Sequence, residues 1–134
     1  MVFARKVRRE DGGVAVEFAI LSPLLIVILF ATIAFGVALS RLVSYISAAR
    51  EGARYAAVHC APDALQCTQT MIENRVAASA AGNPIGVPIT VSTDCTLTPG
   101  EPVTVSWPQP IPIEIPFVGD LSVTIDITGS FRCE

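Results

Sequence analysis

Three rhythms of apolar positions follow one another along the chain. From Phe18 to Leu39 no charge appears, and the only interruptions are Ser22, Pro23, Thr32 and Gly36. As a helix this run would be ~33 Å long, against roughly 30 Å of bilayer hydrocarbon, which predicts a transmembrane span over about 18–39. A cleaved secretory signal has a shorter apolar region of about 7–15 residues and an A-x-A-like site after it. This run is longer and has no clear site of that kind near its end. Residues 13–58 hold no helix breaker except Pro23, so they predict one helix that continues beyond the membrane.

The second rhythm is a shorter helical one. Pro62 and Asp63 suit a helix start, and Met71, Ile72, Val76 and Ala80 would share one face up to the stop signal at Gly82, Asn83 and Pro84. The third has period two. Ile89, Val91, Cys95 and Leu97 alternate with polar neighbours, as do Val103, Val105 and Trp107, and then Leu121, Val123, Ile125 and Ile127. Three strands with one apolar face follow, covered by the 62–81 helix or by the tail of the long helix. The intervening "PQPIPIEIP" carries four prolines in nine residues and reads as an extended edge or loop rather than a central strand.

The predicted fold class is α+β: a long N-terminal transmembrane α-helix followed by a small exported domain with a helix and a three-stranded antiparallel sheet. Residues 1–12 form a cytoplasmic leader, 13–58 the long helix, and 59–134 the exported domain. Charge sets the orientation. Arg5, Lys6, Arg8 and Arg9 face only Glu10 and Asp11 in the leader, whereas basic residues are sparse beyond the span, so the N-terminus stays cytoplasmic. Residues 13–134 carry five basic and ten acidic side chains, which argues against a nucleic-acid partner.

Cys60, Cys67, Cys95 and Cys133 all lie beyond the span, an even number in a small domain, as suits disulfides in an oxidising compartment. Cys95 and Cys133 are in phase with the apolar residues of the first and last strands, and Cys60 and Cys67 flank a Pro-containing turn. Of the three possible connectivities, 60–67 with 95–133 is favoured.

Chemistry of the catalytic kind is thin. His59 is the one histidine and stands beside Cys60, but adjacent residues on a helix do not face each other. The cysteine spacing lacks a paired C-x2-4-C zinc knuckle, and no phosphate loop or hydrolase motif occurs. Neither an enzyme nor a cofactor is expected. The long helix instead carries a row of small residues four apart: Thr32, Gly36, Ser40, Ser44, Ala48, Gly52 and Ala56. Such a row winds slowly around a helix as a groove that lets another helix approach closely. The stretch "AAREGAR" sets Arg50 and Arg54 one turn apart, with Glu51 three residues before Arg54, which reads as a solvated face with one weak ion pair.

The leader ending in Gly12, then Gly13-Val14-Ala15-Val16-Glu17-Phe18 and a long apolar helix, resembles the class III signal of type IV-like prepilins. More closely, "GGVAVEFAILSPLLIVILFATIAFG" followed by "AAREGARYAAV" is similar to the TadE-like family of the tight-adherence (Tad/Flp) pilus system. Ala34 stands where such proteins often carry an acidic residue. The resemblance implies a pilin-like minor subunit or assembly factor, cut by a prepilin peptidase between Gly12 and Gly13, with Glu17 and Phe18 recognised in assembly. Its partners would be that peptidase, other pilin-like subunits with their assembly machinery, and the bacterial inner membrane. The alternative is a membrane-tethered exported binding domain that never enters a filament.

Overall fold

A computed structural model describes residues 11–60, 68–92, 100–116 and 119–133. The first element, α1 (Asp11–His59), is a single helix of 49 residues, about 73 Å at 1.5 Å per residue. It is the one described helix long and apolar enough to cross a membrane. Its first half is largely exposed: Phe18 and Ile20 are each 72% exposed, and Leu25 is 67% exposed. Its second half is a different object. Ala48, Ala49 and Ala53 are fully buried, together with Tyr45, Ala56 and Ala57.

Two layers cover that second half. One is α2 (Gln69–Ser79), whose N-cap Thr68 is extended (φ −88°, ψ 146°). The expected start at Pro62–Asp63 is therefore corrected, because a helix cannot run through an extended residue, and residues 61–67 lie outside those described. Ile72, Val76 and Ala80 form the buried stripe as expected, but Met71 is 44% exposed and falls on the flank. The helix stops where Ala81 and Gly82 take positive φ (52° and 79°), and the Asn83 backbone and side chain both donate to the Ala80 carbonyl.

The other layer is an antiparallel sheet of β1 (Thr90–Ser92), β2 (Pro102–Ile115) and β3 (Gly119–Arg132), in the order β1-β2-β3. Odd-numbered residues of β2 face α1, and Val103, Val105, Trp107, Gln109 and Ile111 are all buried. The architecture is α+β as expected. Of the first predicted strand, Thr90–Ser92 pair among the described residues, and its Cys95 and Leu97 lie outside them.

The proline-rich stretch is the second correction. Residues 108–115 belong to the middle strand and pair with β3 without a break. Pro108, Pro110 and Pro112 occupy alternate positions, so their missing N–H groups all fall on the edge away from β3, and no bond of that ladder is lost. The same prolines explain why β1 is short. Its last bonded pair is Thr90 opposite Ser106, and the next would set Pro88 against Pro108, neither with an N–H to give. From there onward no described strand pairs with that edge of the middle strand, which is the sense in which the edge reading applies.

Candidate functional site

Gly12 and Gly13 lie in the first turn of α1, exposed, with open space where a side chain would be. Glu17 follows Gly13 by one helical turn and is exposed, as is Phe18. The structure thus strings these four along the start of one helix and brings no other described element to them.

The small-residue row divides in two. Thr32, Gly36 and Ser40 are exposed, and nothing stands near the bare Cα of Gly36. Thr32 and Ser44 donate their hydroxyls to the carbonyls one turn back, Ile28 and Ser40, at 2.8 and 3.1 Å, which satisfies them without leaving the helix. Ala48, Gly52 and Ala56 are instead buried within the chain. A side chain on Gly52 would overlap the Val76 methyl of α2, so this glycine sets how closely the two helices approach. On the neighbouring face, a Cβ on Gly129 of β3 would overlap the backbone of Ala49. The lower row and the sheet glycine together close the domain onto α1.

The "AREGAR" turn sits at that closure. Glu51 Oε1 accepts two bonds from Arg75 of α2, from Nη2 at 2.5 Å and Nε at 3.2 Å. The expected Glu51–Arg54 pair is present but looser, at 3.8 Å. The hydrogen bond from Arg75 holds the Glu51 carboxyl below its ordinary value; burial opposes this, and the charges of Arg75 and Arg54 add to it. Arg75 also lies over the Tyr55 ring, 6.0 Å from its centre, and Tyr55 stacks on His59 with centres 4.3 Å apart. An open recess of about 240 Å³ is bounded by Glu51, Arg54, Tyr55, Val58, His59 and Arg75. Arg75 and Tyr55 were not singled out from the sequence. Nothing there links Glu51 to a residue 24 positions away across another helix.

Cys60 and Cys133 are both buried and disulfide-bonded, so Cys60 offers His59 no thiol. Cys67 and Cys95, the partners expected for them, lie outside the described residues. One polar side chain is buried on the apolar sheet face: Gln109 accepts from the Trp107 indole at 3.1 Å and donates to the Pro110 carbonyl at 3.2 Å. The pair satisfies itself, so it reads as core and not as a site.

The family model described as TadE-like protein matches residues 12–54. That span starts at the glycine pair and ends on Arg54. It covers the exposed half of α1 and reaches Glu51 and Arg54 of the buried half, but not Tyr55, His59 or Arg75. The match covers about a third of the chain, so this stretch is similar to TadE-like proteins, and it contains the apolar part of the described helix long enough to cross a membrane. No curated protein and no solved structure matches the chain.

Proposed function

We propose that this TadE-like chain is a pilin-like minor subunit or assembly factor of a Tad/Flp-type pilus, processed by a prepilin peptidase between Gly12 and Gly13. The observation that carries the reading is the placement of Gly12, Gly13 and Glu17 along the first turns of an exposed helix that runs straight into an apolar span. A membrane peptidase needs an unwound backbone at the scissile bond. Two successive glycines in the first turn each weaken the helix by about 1 kcal/mol relative to alanine, at the end where it frays most readily.

Cleavage would create an α-amine at Gly13, with a reference pKa of ~7.7–8.0 and therefore mostly cationic at neutral pH. Glu17 stands one turn away and can neutralise that amine, in its own subunit or a neighbour's. It also lies where the helix dipole favours negative charge. The uncut chain has no amine there, so cutting licenses assembly. The basic leader stays in the cytoplasm and the domain after α1 is exported through the inner membrane, where Cys60–Cys67 and Cys95–Cys133 bridges form. The exposed part of the small-residue row, Thr32, Gly36 and Ser40, is the surface offered to helices of other subunits.

Sequencing the N-terminus of protein extracted from membranes tests the cut: Gly13 is expected first, and an intact Met1 refutes it. Glu17→Gln should leave insertion intact while impairing cleavage or assembly, and normal pili in that variant would count against the charge pairing.

A further inference from the structure

The two edges of the sheet differ. In the middle strand the even-numbered residues turn their backbone groups towards β1, as Ser106 does opposite Thr90, and the odd-numbered ones towards β3. The Cys133 amide donates to the Glu101 carbonyl at 3.1 Å, which continues that phase past the end of the ladder. The partners of odd residues in β3 are themselves odd, so the even-numbered residues from Asp120 to Arg132 turn their N–H and C=O groups outward. No proline interrupts that row, and no backbone group among the described residues bonds to it. The opposite edge is closed. Past Ser106 the middle strand offers Pro108, Pro110 and Pro112 in the bonding phase, none with an N–H. The Pro110 carbonyl already accepts from the Gln109 side-chain amide at 3.2 Å.

Side chains along the open edge agree with its backbone. In the phase facing α1, the middle strand is buried from Val103 to Ile111, whereas Leu121 (57%), Val123 (41%) and Phe131 (38%) of β3 stay exposed. Outside α1 the only other large apolar side chain so exposed among the described residues is Met71. An edge strand lacks a neighbour on one side, and an added strand would cover these three with an apolar phase of its own. The outward phase carries Asp120 and Asp126, six positions apart, with Ser122 and Thr124 between them, all exposed.

We infer that β3 accepts an added antiparallel strand from a different polypeptide, an extended segment with one apolar phase and with Lys or Arg opposite Asp120 and Asp126. Main-chain bonds supply the affinity, and the alternating side chains select the partner. A second copy of this chain does not fit. A copy facing the same way presents the three residues of β1 and then the edge closed by prolines. A two-fold β3–β3 pair turns about an axis perpendicular to the sheet, and so reverses α1, which lies against the sheet face. Two spans in one membrane would then point in opposite directions, with their domains on opposite sides of it. That exclusion rests on α1 crossing a bilayer; the strand site itself does not depend on the pilus reading.

The test uses the full chain in phosphatidylethanolamine–phosphatidylglycerol vesicles, with no pilus component present. The probe is a fluorescent peptide of about eleven residues that alternates valine with threonine and carries lysine at two threonine-phase positions six apart, its binding read by anisotropy. Backbone N-methylation in the lysine phase, which faces β3, should weaken binding about tenfold or more, and N-methylation in the valine phase should leave it unchanged. Thr124→Pro with Thr128→Pro removes two edge N–H groups without touching the ladder to β2, and should weaken binding by a similar factor. If that variant loses the near-ultraviolet signal of Trp107, Asp126→Lys takes its place: the lysine peptide should weaken and a glutamate counterpart should gain. Absence of binding overturns the inference. So do equal losses from the two N-methylated peptides, or unchanged binding to the edge variants. A crosslink between two copies from benzoylphenylalanine placed at Thr124 overturns it as well.

Discussion

The two halves of α1 invert the usual relation between hydrophobicity and burial. Residues 12–39 hold most of its large aliphatic and aromatic side chains, and these are largely exposed, Phe18 and Ile20 at 72%. Residues 40–59 are rich in alanine and serine, yet contain the fully buried positions Ala48, Ala49 and Ala53. In a bilayer, large apolar side chains would meet a solvent that is itself apolar and need no protein partner. The small ones are buried because backbones approach closely there, bringing the larger side chains of other elements (Val76, Trp107, Ile127) over the helix.

The sharpest way to break this contrast is at the closest approach. Gly129→Val should prevent β3 from seating on Ala49, since the obstacle is backbone and cannot rotate aside. Near-ultraviolet circular dichroism of Trp107 in detergent should lose its folded signal, while far-ultraviolet helix signal from the span persists. Retained Trp107 signal would mean the sheet packs elsewhere.

Next in size is a paired comparison within one helix. Gly52→Leu overpacks the α1–α2 contact and should cost about 1–3 kcal/mol, read as a lowered unfolding midpoint of the domain packed on the second half of α1. Gly36→Leu, with open space around it, should leave that midpoint unchanged and alter only association with other subunits. Equal effects of the two on stability would erase the division between the halves. Gly52 is accordingly a poor probe of partner subunits unless stability is measured first.

The smallest effect concerns Glu51. Its folded pKa is lowered, so the stability it contributes is present above the ordinary value of 4.5 and is lost as pH falls through the lower folded value. Glu51→Gln should therefore lower the midpoint modestly at pH 7. The gap from the unmodified chain should close as pH is taken well below 4.5, and high salt should narrow it at neutral pH. A gap that stays constant down to acid pH would show that the clamp acts by shape and not by charge.

Much of this molecule was legible before any coordinates. A charge-free run of bilayer length, the continuity of the helix beyond it, and the helical stripe of Ile72, Val76 and Ala80 follow from local spacing. So do the core-facing phases of Val103, Val105, Trp107 and Ile127, because period two leaves a strand only two faces. The proline stretch was misplaced since composition counts prolines without asking which ladder edge each one faces. The start of α2 was put too early, as Pro62 and Asp63 are good first-turn residues and nothing local shows that Thr68 is extended. Of the candidate site, Gly12, Gly13, Glu17 and Phe18 are local to one turn and were readable, whereas the engagement of Glu51 by Arg75 was not.

By itself the sequence determined the apolar run of bilayer length, the glycine pair with an acidic residue one turn on, and the apolar face of each strand. These depend on side chains within a few residues of each other on a helix or strand whose geometry is known in advance. Only the tertiary structure decided which small residues of α1 are consumed inside the chain and which are left exposed. It alone decided that Glu51 reaches across to α2, and that Gly129 of β3 closes on the Ala49 backbone. Those outcomes rest on how separate elements meet, and the packing of two surfaces is fixed by their joint shape, which no single stretch of sequence contains.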